Sequence, residues 1–303
     1  MATYSPTVKI LLALLLSVLL PTCQRPVHSR GATPPAPAGA VRRLAYGPES
    51  LRQFGELRLP PGAGPFPVVV ALHGGCWLAT YDLQTMTPVC EALTRAGYAT
   101  WNLEYRRLGQ RGGGWPGTFQ DVARGFDFLP ELARRYPILP RRVLVLGHSA
   151  GGQLALWLAA RAGLPPSSPL YTPAPLVPAG VVALAGIPDL ADYAVAPGGC
   201  NEAVAELLGG LPAAVPERYA QASPAQRLPL RVPYCLVQGT ADRIVPPEQA
   251  QAFGRLARQA GDAVRVVEVP GADHFDLIAP GSPAWPAVMQ AVGALLPLPG
   301  HHP

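Results

Sequence analysis

The residues that could do chemistry begin with a serine between glycines. Residues 147–151 read Gly-His-Ser-Ala-Gly, so that Ser149 is the central residue of a G-x-S-x-G motif. The apolar run at residues 142–146 predicts a short buried strand, and a helix is expected from Ala150. A serine on such a sharp strand-to-helix turn projects its hydroxyl above the sheet. The motif therefore predicts that Ser149 is a nucleophile.

A serine hydroxyl needs a base that removes its proton, and the base is most often a histidine. The chain has 6 histidines. Five are set aside because they lie near a terminus, in another loop, or next to the serine and are expected to point away: His28, His73, His148, His301 and His302. His274 remains, directly after the last predicted strand at residues 264–269, and it is the predicted base.

A carboxylate must orient that histidine, and three aspartates compete for this role. Asp242 follows the predicted strand at residues 233–237, whereas Asp273 and Asp276 lie beside His274 in the chain. A carboxylate adjacent in sequence cannot easily reach the far ring nitrogen of its neighbour. The sequence therefore predicts Asp242 as the acid.

The tetrahedral intermediate of acyl transfer needs hydrogen-bond donors for its oxyanion. His73-Gly74-Gly75-Cys76-Trp77 follows the buried apolar run at residues 66–72, and its glycines allow a close approach of the backbone to a substrate. We expect the amides of Gly75, Cys76 and Ala150 to form the oxyanion hole. A register shifted by one residue would use Gly74 instead.

Strand and helix patterns alternate along most of the chain. Strands are predicted at residues 54–59, 66–72, 98–103, 142–146, 180–185, 233–237 and 264–269. Helices are predicted at residues 86–96, 118–136, 150–162, 247–260 and 285–295, and the second of these has a kink at Pro130 and a capping-box-like pair, Thr118 and Asp121. This alternation predicts an α/β fold with a mostly parallel central sheet and helices on both faces. Residues 187–228 interrupt the rhythm and are predicted to form a short lid insertion.

These motifs in this chain order resemble the α/β-hydrolase superfamily. The likeness covers about residues 52–295, and His73-Gly74-Gly75-Cys76-Trp77 resembles the HGGxW signature of kynurenine-formamidase-like and related carboxylesterases, or the HGGGW of feruloyl-esterase-type bacterial enzymes. The resemblance implies hydrolysis of a carboxylic ester or a small amide through an acyl-enzyme on Ser149. Alternatives are a prolyl-oligopeptidase-like serine peptidase and a catalytically silent binding homologue. The silent homologue predicts a broken triad, whereas Ser149, Asp242 and His274 are all present.

The composition limits the partners. Charged residues make up 14% of the 303 residues, the formal net charge is +5, and no basic run suggests a nucleic-acid partner. The histidines lack metal-ligand spacing and there is no phosphate-binding Gly-Lys motif, so neither a metal nor an organic cofactor is expected. The expected partner is a small-molecule ester or amide substrate. The sequence leaves the oligomeric state open.

The N-terminus has the pattern of an export signal. Lys9 precedes an apolar run at residues 10–20, which is too short for the ~20 residues of a membrane-spanning helix. We expect a signal peptide at residues 1–22, a Pro/Ala/Gly-rich tether at 23–40 and a hydrolase domain at 41–298. Export to the periplasm or the medium follows, with Cys23 as a candidate lipid anchor and cleavage after Ser29 as the alternative.

The remaining four cysteines allow three full pairings. Cys90 falls on a predicted helix and Cys235 within a predicted strand, where free buried thiols are common. Cys76 and Cys200 both belong to segments expected above the serine. We therefore expect a Cys76–Cys200 disulfide between the oxyanion loop and the lid, which export would favour.

Overall fold

The computed structural model describes residues 40–196 and 199–298, and a twisted sheet forms their centre. Its strands are β1 (Arg42–Ala45), β2 (Phe54–Arg58), β3 (Phe66–Leu72), β4 (Ala99–Leu103), β5 (Ile138–His148), β6 (Gly180–Leu184), β7 (Tyr234–Gly239) and β8 (Val264–Val269). They are ordered β1-β2-β4-β3-β5-β6-β7-β8. The pairs β1–β2 and β2–β4 are antiparallel, and all other neighbours are parallel. The predicted α/β fold class is confirmed.

Helices cover both faces of this sheet. They are α1 (Thr87–Arg95), α2 (Gly117–Asp127), α3 (Leu129–Ala133), α4 (Ala150–Ala160), α5 (Leu190–Val195), α6 (Asn201–Leu208), α7 (Pro216–Ala222), α8 (Pro247–Gln259) and α9 (Trp285–Leu295). The sequence of β3 is apolar throughout because its alternate residues face two different hydrophobic cores. Val68 and Val70 belong to the core shared with α2, α4 and α8, whereas Val69 and Ala71 belong to the core shared with α1 and α9.

Two local features differ from the sequence pattern. The short strand β1 has no counterpart among the predicted strands. The predicted helix over residues 118–136 is two helices, α2 and α3, which meet at Phe128 just before Pro130. A proline at the second position of α3 explains this break, because a proline in a helix interior removes a hydrogen bond.

The predicted capping box at Thr118 and Asp121 is wrong. Pro116 is the N-cap residue of α2, and no side chain caps this helix. Thr118 Oγ1 instead accepts from the Gly114 amide at 3.0 Å, and Asp121 accepts from the side chain of Arg106. Both side chains are held by partners outside the helix, which a local sequence pattern does not show.

The parallel strands bring the segments of interest to one edge of the sheet. Leu72 at the end of β3 is in register with Gly147 of β5, and Gly239 of β7 is in register with Val269 of β8. The loops after these four strands therefore lie at the same edge. The segment predicted as a lid contains α5, α6 and α7. In the described ranges, every helix is too short or too polar to cross a membrane.

Candidate active site

Ser149 occupies a strained turn between β5 and α4. Its φ of 55° and ψ of −121° lie in a region that residues with a side chain rarely adopt, and its amide donates to Leu184 O at 2.8 Å. The flanking glycines allow this turn. A Cβ on Gly147 would lie 2.0 Å from Gly151 O, and one on Gly151 would lie 2.2 Å from Leu72 O. The G-x-S-x-G pattern is therefore a steric requirement of the strand–helix contact.

His274 and Asp242 form a buried pair beside this turn. His274 Nδ1 lies 2.7 Å from Asp242 Oδ2, and the exposed fractions of the two residues are 4% and 6%. Asp242 Oδ1 accepts from the amides of Ile244 at 2.8 Å and Val245 at 2.9 Å, and Gln238 Nε2 donates to Oδ2 at 3.1 Å. The carboxyl group is thus fully engaged at the end of β7.

The surroundings of Asp242 favour its ionised form. Burial raises the pKa of the carboxyl, but the hydrogen bond and charge interaction with His274 and the bonds from two backbone amides outweigh burial. The net pKa therefore lies below the ordinary value for aspartate. An ionised Asp242 accepts a hydrogen bond from His274 when the ring proton is on Nδ1. The other ring nitrogen, Nε2, is then free to accept a proton.

The two rival aspartates have a different role. Asp273 Oδ1 accepts from the amides of Phe275 and Asp276, and Asp276 Oδ2 accepts from the amide of Asp273 at 2.8 Å. These reciprocal bonds close the turn that carries His274. Neither carboxylate forms the bond to the His274 ring.

His148 connects the serine turn with the histidine loop. Its Nε2 lies 2.9 Å from the carbonyl oxygen of His274, and the centroids of the two rings are 4.5 Å apart. This contact of the His148 ring was not predicted from the sequence, and it forms because the loop after β8 passes over the ring. In the described part of the chain, no hydrogen bond joins Ser149 Oγ to His274 Nε2. The contacts through His148 therefore place the His274 loop beside the serine turn, while the two side chains are not hydrogen-bonded to each other.

The loop at residues 73–77, which is predicted to supply the oxyanion donors, packs directly against Ser149. A Cβ on Gly74 would lie 2.9 Å from the Cβ of Ser149. Gly75, Cys76 and Trp77 have φ values of 99°, 51° and 56°, so three successive residues are left-handed. Within the residues described, the Gly75 and Cys76 amides donate to no protein group. They can therefore donate to a ligand beside Ser149, as can Ala150, which begins α4.

Buried charged residues contact His73 at the start of this loop, and the sequence patterns did not predict them. The His73 ring stacks on Tyr105 at a centroid distance of 4.3 Å, and the Tyr105 hydroxyl donates to His73 O at 2.7 Å. Arg107 Nη1 lies 2.9 Å from His73 Nε2 and also contacts Glu104. Burial raises the pKa of the Glu104 carboxyl, but interactions with His73 and Arg107 outweigh it and lower the net pKa. The available signal was a charged segment, residues 104–107, directly after a buried strand.

Cys76 and Cys200 form a disulfide, as predicted, with their Cα atoms 5.3 Å apart. Cys90 and Cys235 are free and buried, also as predicted. Burial raises the pKa of the Cys90 thiol to about 12 and that of Cys235 to about 11. These two thiols are therefore unreactive near neutral pH. In the part of the chain that the structure describes, no cluster of side chains could hold a metal ion.

Comparison with known proteins decides the family. The sequence model of the BD-FAE family matches residues 56–256, which include Ser149, Asp242 and the oxyanion loop. The chain belongs to the BD-FAE family. This BD-FAE chain is 25% identical over 255 residues to esterase LipQ of Mycobacterium tuberculosis and 28% identical over 257 residues to esterase LipC of the same organism. It aligns with 59% and 60% of their lengths, so it spans about three fifths of these relatives, while 80% and 78% of the chain is covered.

Solved structures agree on the fold of this BD-FAE protein. Esterase B from Lactobacillus rhamnosis superposes with a TM-score of 0.71 at 20% identity and covers 84% of this chain and 85% of its own. Esterase Est2 from Thermogutta terrifontis superposes with a TM-score of 0.69 at 19% identity, covering 88% and 96%. The shared fold, together with the BD-FAE match over residues 56–256, confirms the resemblance to the α/β-hydrolase superfamily.

Proposed function

We propose that this protein is a serine hydrolase that cleaves carboxylic esters through an acyl-enzyme on Ser149. The observation that carries the proposal is the buried His274–Asp242 pair, at 2.7 Å, beside a serine held in a strained turn. Two relatives whose names state esterase activity support esters as the substrate class. Small amides such as formamides are a secondary substrate class, because the same acyl transfer applies to them.

The first half of the reaction forms the acyl-enzyme. Ser149 Oγ attacks the acyl carbon while His274 Nε2 removes the hydroxyl proton. His274 then gives that proton to the leaving alcohol as the C–O bond breaks. Catalytic hydrogen bonds are often long or misaligned without substrate, so the unpaired serine and histidine agree with this step.

The second half returns the enzyme to its starting state. A water gives a proton to His274 and adds to the acyl carbon, and Ser149 Oγ leaves and regains the proton. Asp242 stays ionised throughout and holds the proton of His274 on Nδ1 through the 2.7 Å contact. The carboxylic acid leaves as the second product, and no residue outside the triad changes its protonation.

The oxyanion that forms in both halves needs donors already in place. The amides of Gly75, Cys76 and Ala150 fulfil this role in the proposal. Ala150 follows Ser149 directly, and Gly75 and Cys76 continue the loop whose Gly74 packs against Ser149. Cys76 keeps its amide where related signatures have a third glycine. Each such donor contributes about 2.7–4 kcal/mol to the transition state in enzymes that have been tested. The backbone at Gly75 and Cys76 has positive φ values, and within the described residues neither amide donates to a protein group.

The test uses hydrolysis of p-nitrophenyl esters of increasing acyl length, together with labelling by a fluorophosphonate. Ser149→Ala should lower kcat/KM by about a thousandfold or more and abolish labelling. Ser167→Ala is a matched control, because Ser167 is an exposed serine outside the site, and it should behave like wild type. Retained turnover in Ser149→Ala would contradict the proposal. Wild-type cleavage of prolyl peptides but not of esters would favour the peptidase alternative.

A further inference from the structure

The segment between β6 and β7 touches both loops that the proposed chemistry needs. At one end, Cys200 is bonded to Cys76 of the oxyanion loop. At the other end, Tyr193 contacts Ile244 in the loop that carries Asp242. We call this connection, from Cys76 through Cys200 and Tyr193 to Ile244, the strap.

The first link is covalent. Cys200 is the N-cap residue of α6 and is only 3% exposed. Its partner Cys76 is one of the proposed oxyanion donors, and its φ of 51° is unusual for a residue other than glycine. A disulfide at this residue restricts the position of the loop, because the Cα atoms of the two cysteines must stay within bonding range.

The second link passes through the hydroxyl group of Tyr193, next to a longer hydrogen bond of 3.4 Å from the Gly199 amide to Ile244 O. Tyr193 lies on α5 and is 1% exposed. Its oxygen accepts from the Cys200 amide at 3.2 Å and donates to Ile244 O at 2.8 Å. The amide of Ile244 in turn donates to Asp242 Oδ1 at 2.8 Å. A buried phenol thus joins Cys200 of the disulfide to Ile244, which is two residues after Asp242 and hydrogen-bonded to it.

The strap joins parts of the site that the sheet does not join directly. The oxyanion loop follows β3 and the Asp242 loop follows β7, and the strands β5 and β6 lie between them. The backbone hydrogen bonds between neighbouring strands end where the loops begin. The strap adds a connection beyond the sheet edge, across the loop ends.

We propose that Tyr193 is a positioning residue that, together with the Cys76–Cys200 disulfide, sets the spacing between the oxyanion donors and the Asp242–His274 pair. The inference rests on the proposed function. The oxyanion and the imidazolium both form only on the way to the transition state, so their misplacement lowers kcat and leaves ground-state binding unchanged. A shift of 1 Å in such groups can cost about a hundredfold in rate.

The experiment compares Tyr193→Phe with the double variant Cys76→Ser/Cys200→Ser and with the triple variant. Tyr193→Phe removes only the hydroxyl group, and Cys76→Ser keeps the amide donor. We expect each to lower kcat about tenfold with KM changed less than about twofold, as for an interaction made only in the transition state. Because both changes cut the same strap, the triple variant should be no slower than the slower of its parents.

Tyr219→Phe is the matched control. Tyr219 is 1% exposed on α7, and its hydroxyl donates to Gly210 O at 3.1 Å within the lid segment. Among the residues that the structure describes, no hydrogen bond joins this hydroxyl to the Asp242 loop. The control should show a comparable loss of melting temperature without the loss of kcat. Melting curves of all variants therefore separate a general loss of stability from misplacement of the site.

Two results would overturn the strap. One is an equal kcat for Tyr193→Phe and Tyr219→Phe, and the other is a triple variant whose loss is the product of the separate losses. Ser149→Ala, assayed in parallel, tests the proposed function by itself. If Ser149→Ala is inactive while Tyr193→Phe matches its control, only the strap fails.

Discussion

His148 shows how a residue beside the nucleophile can affect stability as well as geometry. Its ring is buried between the serine turn and His274, and burial lowers its pKa to about 3, with a smaller contribution from the charge of His274. In the unfolded chain a histidine has a pKa of about 6.5. Between these values the unfolded chain binds a proton that the folded protein does not bind.

This difference predicts an acid-dependent loss of stability. Above about pH 6.5, both the folded and the unfolded chain have a neutral His148, and the difference has no effect. As the pH decreases from about 6.5 toward 3, the free energy of unfolding falls by up to about 1.4 kcal/mol per pH unit. His148→Gln keeps an amide donor for the His274 carbonyl but cannot bind the proton. Urea denaturation from pH 7 to pH 4 should therefore give a shallower decline in the free energy of unfolding for the variant than for wild type. Parallel declines would show that His148 does not titrate in this way.

At the scale of elements, the contact between β3 and the start of α4 depends on a missing side chain. A Cβ on Gly151 would lie 2.2 Å from Leu72 O and 2.4 Å from His73 O, both of which are backbone atoms that cannot rotate away. The helix would have to move off the sheet and would carry Ser149 with it. This crossing therefore couples the stability of the core to the geometry of the nucleophile.

We expect Gly151→Ala to destabilise the fold by about 3 kcal/mol or more, in the range of severe overpacking. Gly293→Ala is the control, because Gly293 lies within α9 and an added Cβ there would meet nothing within 4 Å. Alanine is the better helix former, so the control should gain about 0.5–1 kcal/mol. Chemical denaturation measures both changes, and similar stabilities for the two variants would refute the steric argument.

Sequence patterns predict the elements unevenly, for physical reasons that particular residues show. The strand β3 and the break before Pro130 follow from apolar runs and proline geometry, which act locally along the chain. The predicted capping box fails because its two side chains have other partners. The Gly114 amide donates to Thr118, and the Arg106 side chain donates to Asp121. Local propensity is overridden wherever a tertiary partner offers a better hydrogen bond.

At the scale of the whole molecule, we propose that the N-terminal segment directs the protein to export. The predicted signal peptide, the tether up to residue 39 and the candidate anchor Cys23 lie outside the described residues. A disulfide between Cys76 and Cys200 suits an oxidising compartment and so supports the export that we propose.

Export predicts a shortened mature protein. Mass spectrometry of the full chain made in a secreting bacterium should find an N-terminus at Cys23 or just after Ser29, with no peptide from residues 1–22. A lipid on Cys23 would place the mature protein in the membrane fraction, and Cys23→Ser would release it. A mature protein that keeps residues 1–22 would refute both forms of export.

The sequence by itself determined the fold class and the chain order of Ser149, Asp242 and His274, and it favoured the Cys76–Cys200 pair among three possible pairings. Each depends on signals that are local or topological: hydrophobic period, glycine sterics, and the rule that parallel strands end at one edge. Only the tertiary structure decided that Arg107 and Glu104 support His73, that His148 contacts the His274 loop, and that Tyr193 reaches Ile244. These contacts join residues from different loops, and a hydrogen bond of about 3 Å is set by how the loops pack rather than by the residues nearby in the chain.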